Sequence, residues 1–199
     1  SLYNINKYIY DNKMPKLDIV LVEGSESLAK NYNEGILKSK FKTKFFIHED
    51  VDLQDHNKIP IFIKIQNIFD NFPKTGLIGL VGTTEIPTGY WWNCSRSSIK
   101  GQVQMPEKYG KYWIWDCSSE IFDVKLIDGF FMATNKDIQF SEDILGFDLY
   151  DLDYCHKMLK NGYDIKVFTH LALHNAKEKI KNIDFSHYHK KWFGKDFSE

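Results

Sequence analysis

Two acidic segments stand far apart in the chain, and each holds residue types that can do chemistry. The first is His48-Glu49-Asp50-Val51-Asp52, directly after the apolar stretch Lys44-Phe45-Phe46-Ile47. Hard divalent cations such as Mg²⁺ and Mn²⁺ take a few carboxylate oxygens and keep open positions for phosphate oxygens. One or two carboxylates in such a turn can therefore hold a cation against a diphosphate. An acidic turn is equally an ordinary solvated surface feature, and His48 is equally a strand-end residue with a satisfied ring. The second segment carries Asp148, Asp151 and Asp153 around an expected helix start. A carboxylate there can cap the helix or complement its dipole, and that structural reading suits Asp148 and Asp153. Asp151 can instead serve as a base toward a hydroxyl that acidifies only in the transition state. His170 and His174 are four apart. On a helix that spacing gives a ligand pair, but the surrounding run favours a strand end. His174 is a candidate to complete a cation site from the far side, or a plain edge histidine.

These groups need elements to position them. Residues 1–16 have helical spacing of Leu2, Ile5, Tyr8 and Ile9, ending near Pro15. "LDIVLVEG" (17–24) reads as a buried strand of a parallel sheet. A helix follows, capped by Ser25 or Ser27, with Leu28, Tyr32, Ile36 and Leu37 as its apolar face. "KFFIHEDVDL" is a strand running into acid, "IPIFIKIQNIFDNF" a helix with Pro60 at its start, and "GLIGLVG" a third buried strand. This alternation predicts an α/β domain with helices flanking a mostly parallel sheet. In such sheets ligands bind beyond the carboxyl ends of the strands, where "KFFI" delivers its acidic turn.

Residues 83–124 break the rhythm and read as a loop and hairpin excursion. Trp91, Trp92, Trp113 and Trp115 fall there, either to stack on the apolar faces of sugar rings at an acceptor site or to form a small satellite core. "VKLIDGFFMATNKD" restores a strand with Asp128–Gly129 in its middle. Residues 148–162 form a helix with inward Leu152, Cys155 and Leu159, residues 163–175 a last strand region, and the tail from about 177 a charged helix.

The chain of 199 residues fits a single domain over 1–199. A net charge of −1 from 26 basic and 27 acidic residues excludes the electrostatic footprint of a nucleic-acid binder. Cys94, Cys117 and Cys155 are odd in number and widely spaced, so neither a disulfide framework nor a zinc cluster is indicated. No stretch approaches membrane-spanning length. A cytoplasmic setting is expected, with peripheral contact to a membrane compatible with it.

Taken in order, "IVLVEGSESLAKNYNEGI", "FFIHEDVDL", "GLIGLVG", "VKLIDGFFMATNKDI", "FSEDILGFDLYDLDYCHKMLKNGYDIKVFTHLALH" and "KKWF" resemble the family-2 glycosyltransferases, more closely a bacterial glycosyltransferase-like branch. The resemblance covers most of residues 17–192. It implies a GT-A, Rossmann-like fold, a nucleoside-diphosphate sugar donor (a UDP-sugar first), and Mn²⁺ or Mg²⁺. It puts the metal and diphosphate on Glu49, Asp50 and Asp52. It puts the nucleotide against Glu23, Gly24, Ser25, Lys30 and Asn33, and the sugar against Asp128. The family's usual Glu-Asp pair reads Tyr150-Asp151 here, so Asp151 inherits the role of catalytic base. The chain is expected to begin inside the fold's first helix, lacking the strand that normally opens it.

The resulting expectation is an inverting hexosyltransferase-type enzyme of polysaccharide or glycoconjugate synthesis. Asp151 is the base, Glu49, Asp50, Asp52 and His174 hold the metal, and Trp91 and Trp92 face a carbohydrate acceptor. The main rival is a non-catalytic GT-A-like module that binds sugar or protein. A nucleotidyltransferase is weaker, because no glycine-rich basic loop is found near the N-terminus.

Overall fold

The computed structural model describes residues 18–23, 26–54, 60–109, 112–176 and 183–194. Four helices lie among them: α1 (Leu28–Lys38), α2 (Ile61–Asn71), α3 (Tyr150–Lys160) and α4 (Ser186–Phe193). The strands are β1 (Lys44–Ile47), β2 (Val51–Asp52), β3 (Thr75–Gly79), β4 (Val81–Thr83), β5 (Ile99–Gln104), β6 (Tyr112–Ile114), β7 (Ile121–Val124), β8 (Leu126–Ile127), β9 (Phe131–Thr134), β10 (Asp164–Phe168) and β11 (Leu173–His174). Short 3-10 turns cover Trp91–Asn93 and Glu107–Tyr109.

The strands make two sheets. The first has the order β1-β9-β3-β10-β7; the second has β2-β11-β5-β4-β8, with β6 paired to β5. The α/β class holds, but the sheet is not mostly parallel. In the first sheet only β3 and β10 run parallel, while β1/β9, β3/β9 and β7/β10 are antiparallel. The cause is visible at two apolar runs that sequence periodicity reads as single strands. "GLIGLVG" bends at Leu80, so β3 stays in the first sheet and β4 joins the second. The bend is packed tightly: a Cβ on Gly101 would lie 2.1 Å from the Leu80 carbonyl oxygen, and Gly101 sits at φ +96°. Likewise Asp128–Gly129 interrupts "LIDGFF", leaving β8 in the second sheet and β9 in the first. Polypeptide that switches sheets at a turn makes antiparallel neighbours without a helical crossover.

The expected strand at 17–24 is also corrected. Residues 18–23 belong to neither sheet, and Ile19 and Leu21 are exposed. An apolar run becomes a strand only if a neighbour supplies the ladder, and the described residues supply none. The helix expected over residues 1–16 lies outside the described residues. The hairpin excursion is present as β5/β6, with Val103 opposite Trp113.

Helix α2 follows Pro60 and buries Ile61, Phe62, Ile65, Ile68 and Phe69, the spacing of one helical face. In α1 the buried stripe is Ala29, Asn33 and Ile36, and Leu37 is 75% exposed. That stripe is rotated from the expected one because Asn33, a polar residue, occupies a core position. Its Oδ1 accepts from the Phe140 N–H at 2.7 Å and its Nδ2 donates to the Phe140 carbonyl at 3.1 Å. Nδ2 also donates to Glu142 at 3.0 Å. Ser27 caps the helix, its hydroxyl accepting from the Lys30 N–H at 3.2 Å.

In α3 the N-cap position belongs to Leu149 in the left-handed region (φ 61°), not to Asp148. Asp153 is 1% exposed, and it accepts from Lys191 at 2.9 Å and from the Trp192 indole at 2.8 Å. It thereby ties α4 to α3, a structural role other than the helix capping expected from the sequence. No helix among the described residues is long and apolar enough to cross a membrane.

The Asn33 bonds give the first prediction. Asn33→Ala leaves both buried backbone groups of Phe140 unpaired. Each such loss costs about 1–3 kcal/mol, so urea unfolding should show a destabilisation of roughly 2–6 kcal/mol. A change below about 0.5 kcal/mol would mean that this anchor does not hold the loop.

Candidate active site

The site begins at the carboxyl end of β1. Strand β1 pairs with β9, and the ladder continues one step beyond it, the His48 N–H donating to the Phe130 carbonyl at 3.1 Å. The chain then turns through Glu49 and Asp50 into β2, which pairs antiparallel with β11 and sets Val51 opposite His174. This brings His48, Asp50 and His174 together, with a donor atom from each lying within 4.8 Å of the others. His174 Nε2 is 3.4 Å from Asp50 Oδ1. The His174 ring stacks on Phe130 at 5.2 Å and meets the His48 ring edge-on at 5.7 Å.

The second acidic segment arrives from α3. Asp151 Oδ2 accepts from the Gly129 N–H at 2.9 Å, and Oδ1 accepts from its neighbour Leu152 N–H at 2.9 Å. Tyr150, buried beside it, places its hydroxyl 2.6 Å from His48 Nε2. Between the two segments sits the Asp128–Gly129 turn. Asp128 Oδ1 accepts from the Phe130 N–H at 3.0 Å, and Oδ2 accepts from the Trp91 indole at 3.2 Å. The two acidic segments thus meet in one place, although about a hundred residues of chain lie between Asp50 and Asp151.

Electrostatics distinguish the groups. Burial raises the Asp151 carboxyl, with help from the nearby Asp128 charge, to about 7 against the lowering effect of the Leu152, Gly129 and Asp151 backbone N–H groups. Asp151 is half-buried as a residue, although its carboxyl group is enclosed. Burial and His174 lower the His48 pKa, favouring the neutral ring. At His174 burial works the same way, but Asp50 and Asp128 outweigh it and raise its pKa. Asp50 is lowered, chiefly by its hydrogen bond to His174. Burial holds the Tyr150 phenol well above its usual range, so it stays protonated.

The remaining expected residues fall as follows. Glu49 is exposed in the turn, and Asp52 turns away to accept from the Gln54 N–H at 3.0 Å, so neither joins the three-residue cluster. A backbone bond two residues on is the ordinary use of an Asp side chain in a turn. His170 bonds to the Leu53 carbonyl at 2.6 Å and lies outside the cluster. Trp91 is buried against Asp128, whereas Trp92 is exposed and stacked on Tyr90 at 4.6 Å. Glu23 and Lys30 are exposed, Asn33 is bonded to the Phe140 loop, and Gly24 and Ser25 lie outside the described residues. Sequence reasoning missed Tyr150, Phe130 and Gly129, and it weighed His48 only as a strand-end residue. The Asp-Gly pair inside an apolar run was a turn signal that could have exposed them.

A family model described as a glycosyltransferase-like family matches residues 3–195. The chain belongs to this glycosyltransferase-like family. No curated protein matches it. Membership supports sugar transfer as the activity of this glycosyltransferase-like protein, with a sugar donor and an acceptor as its partners.

Gly129 is where the family member's two segments touch. A Cβ there would lie 2.1 Å from the Tyr150 hydroxyl oxygen and 3.0 Å from the Asp151 Cβ. Gly129→Ala should cost about 1–3 kcal/mol through overpacking. Adding Tyr150→Phe should recover part of that loss, because it removes the atom in closest conflict. Denaturant titration of the two single variants and the double variant measures the coupling. Strictly additive effects would show that the close approach does not exist.

Proposed function

We propose that the protein is a metal-dependent, inverting glycosyltransferase. It moves a sugar from a nucleoside-diphosphate donor, a UDP-sugar first, to a carbohydrate hydroxyl in polysaccharide or glycoconjugate synthesis. The observation that carries this reading is the meeting of His48, Asp50 and His174 with Asp151 across the Asp128–Gly129 turn.

Two imidazoles and one carboxylate fit a divalent transition metal. They suit Mn²⁺ better than Mg²⁺, which prefers an all-oxygen shell. His48, Asp50 and His174 would hold the ion, with the Tyr150 hydroxyl fixing the His48 ring through Nε2. When bound, the metal supplies positive charge against the departing diphosphate.

The rest of the chemistry belongs to the chain. The Gly129 and Leu152 N–H groups each bond one Asp151 oxygen and fix the orientation of the carboxylate. Asp151 takes the acceptor hydroxyl proton as that oxygen bonds to the anomeric carbon and the carbon–diphosphate bond breaks. Displacement in one step from the opposite face inverts the anomeric configuration. With a pKa of about 7, Asp151 balances availability at neutral pH against strength as a base. Asp128 lies beside this centre as a candidate contact for the donor sugar.

Two predictions follow from these roles. In a screen of UDP-sugars with Mn²⁺, Asp151→Asn should lower transfer about 10²–10⁴-fold, the range of a lost general base. Unchanged transfer would remove Asp151 from this role. The wild-type rate should rise as pH increases through about 7, since the base must be ionised, and fall below it as the carboxyl gains its proton. The same raised pKa means that the folded chain binds this proton more tightly than the unfolded chain, so its contribution to stability falls as pH rises from the unfolded value of about 3.9 to about 7.

Separately, His174→Ala should abolish the Mn²⁺ enhancement of UDP binding seen by titration calorimetry. Equal enhancement in that variant would place the ion elsewhere. Metal-enhanced UDP binding without transfer from any donor would favour the non-catalytic sugar-binding module.

A further inference from the structure

Among the described residues strand β6 is an edge strand, and its three residues, Tyr112, Trp113 and Ile114, are 49%, 47% and 50% exposed. Edge strands are ordinarily blunted by charge, proline or brevity. This one is short but presents bulky apolar side chains to solvent. It is not isolated from the site. Trp113 stacks on Trp115 at 5.9 Å, Trp115 meets Trp91 at 5.9 Å, and the Trp91 indole bonds to Asp128. Trp92 adds a second exposed ring, 5.6 Å from Trp91.

The buried end of this row is explained by packing, because Trp91 satisfies Asp128 and contributes to the core. At the exposed end, Trp113 and Trp92 keep 47% and 37% of their surface open to solvent. Trp113 and Trp115 are two apart on the hairpin and stack, so they share the face that carries Val103 and leads inward to Asp128. A row of rings running from the reaction centre to the surface has the form of a surface for a linear ligand. Sugar rings have one apolar face of C–H groups that lies flat on an indole, with hydroxyls left at the edge for water. Tryptophan suits this better than aliphatic residues because it offers a rigid plane at little entropic cost.

We propose that the solvent-facing rings Trp92, Trp115 and Trp113, which converge on the buried Trp91, form an extended acceptor platform, and that the acceptor is an oligosaccharide bound over several residues. This rests on the sugar-transfer reading above and adds the length of the substrate to it. The two outer rings, Trp113 and Trp92, bind sugar residues remote from the reacting hydroxyl. They set specificity by chain length and take no part in bond making.

The test uses the whole protein and an array of immobilised oligosaccharides, one to eight residues long, with gluco, galacto, manno and N-acetylated backbones. Wild type is expected to bind at least one backbone with affinity that climbs with length and then levels off. Trp113→Ala should weaken binding of the long members about tenfold and leave the shortest bound member unchanged. Trp113→Phe, which keeps an aromatic face, should recover part of the loss. Circular dichroism and the unfolding midpoint show whether each variant is folded, and Trp92→Ala provides a second reading if Trp113→Ala is not.

Absence of binding to every glycan, affinity independent of length, or full affinity in folded Trp113→Ala would each overturn the platform. Self-association of wild type that Trp113→Ala abolishes, without glycan binding, would assign this edge to a second copy of the chain and overturn it as well. The outcome is separable from that of the base. Length-dependent binding without Asp151-dependent transfer leaves the platform and removes the base, while transfer without length-dependent binding does the reverse.

Discussion

The hydrogen bond from the Gly129 N–H to the Asp151 carboxylate is the contact on which the arrangement of the site depends. It exists because the chain turns at Asp128–Gly129 while passing from one sheet to the other, and because glycine leaves room for Tyr150 and Asp151 to close on the turn. The same bond orients Asp151 and opposes the rise in pKa that burial and Asp128 produce. From the other side Tyr150 reaches His48. One turn therefore sets the position of both acidic segments.

The fold is organised to make that turn possible. Both sheets share continuous apolar runs, one passing through β3 and β4 and the other through β8 and β9. Each run bends where it leaves one sheet for the other. The bends produce antiparallel neighbours in a sheet that would otherwise be wound with helical crossovers. They also carry the strand ends into the region where β2 and β11 bring His174 to Asp50. The tryptophan row starts on the same turn, since Trp91 bonds to Asp128. The candidate site and the outer aromatic surface thus share one turn.

Some side chains that suggest chemistry in the sequence serve structure. Asn33 spends its amide on the backbone of Phe140 and on Glu142, and Asp153 is buried under Lys191 and Trp192. Asn33 obeys the rule that a buried polar group must be satisfied, whereas Asp153 places both of its partners on Oδ1 and leaves Oδ2 buried without one. Asp52 is used within its own turn. Conversely, His48 and Tyr150 bond to each other at the centre of the site, yet neither stands in a pattern that separates it from a core residue. Side-chain type is a weak guide to role when the partner is distant in sequence.

The sequence by itself determined the helices, through apolar spacing and caps at Ser27 and Pro60, and the acidic turn following Lys44–Ile47. It also determined Asp151 as the acid at a helix start, the hairpin around the tryptophans and the family resemblance. These depend on local periodicity and short-range sterics, which a linear string contains. Only the tertiary structure decided the direction of the strands, the fate of residues 18–23, and the gathering of His48, Asp50 and His174 into one cluster that Glu49 and Asp52 do not join. Those outcomes depend on which distant backbone supplies a ladder and on which side chains share one small volume. An apolar run carries no record of its partner, and a carboxylate carries no record of the charge that will be packed beside it.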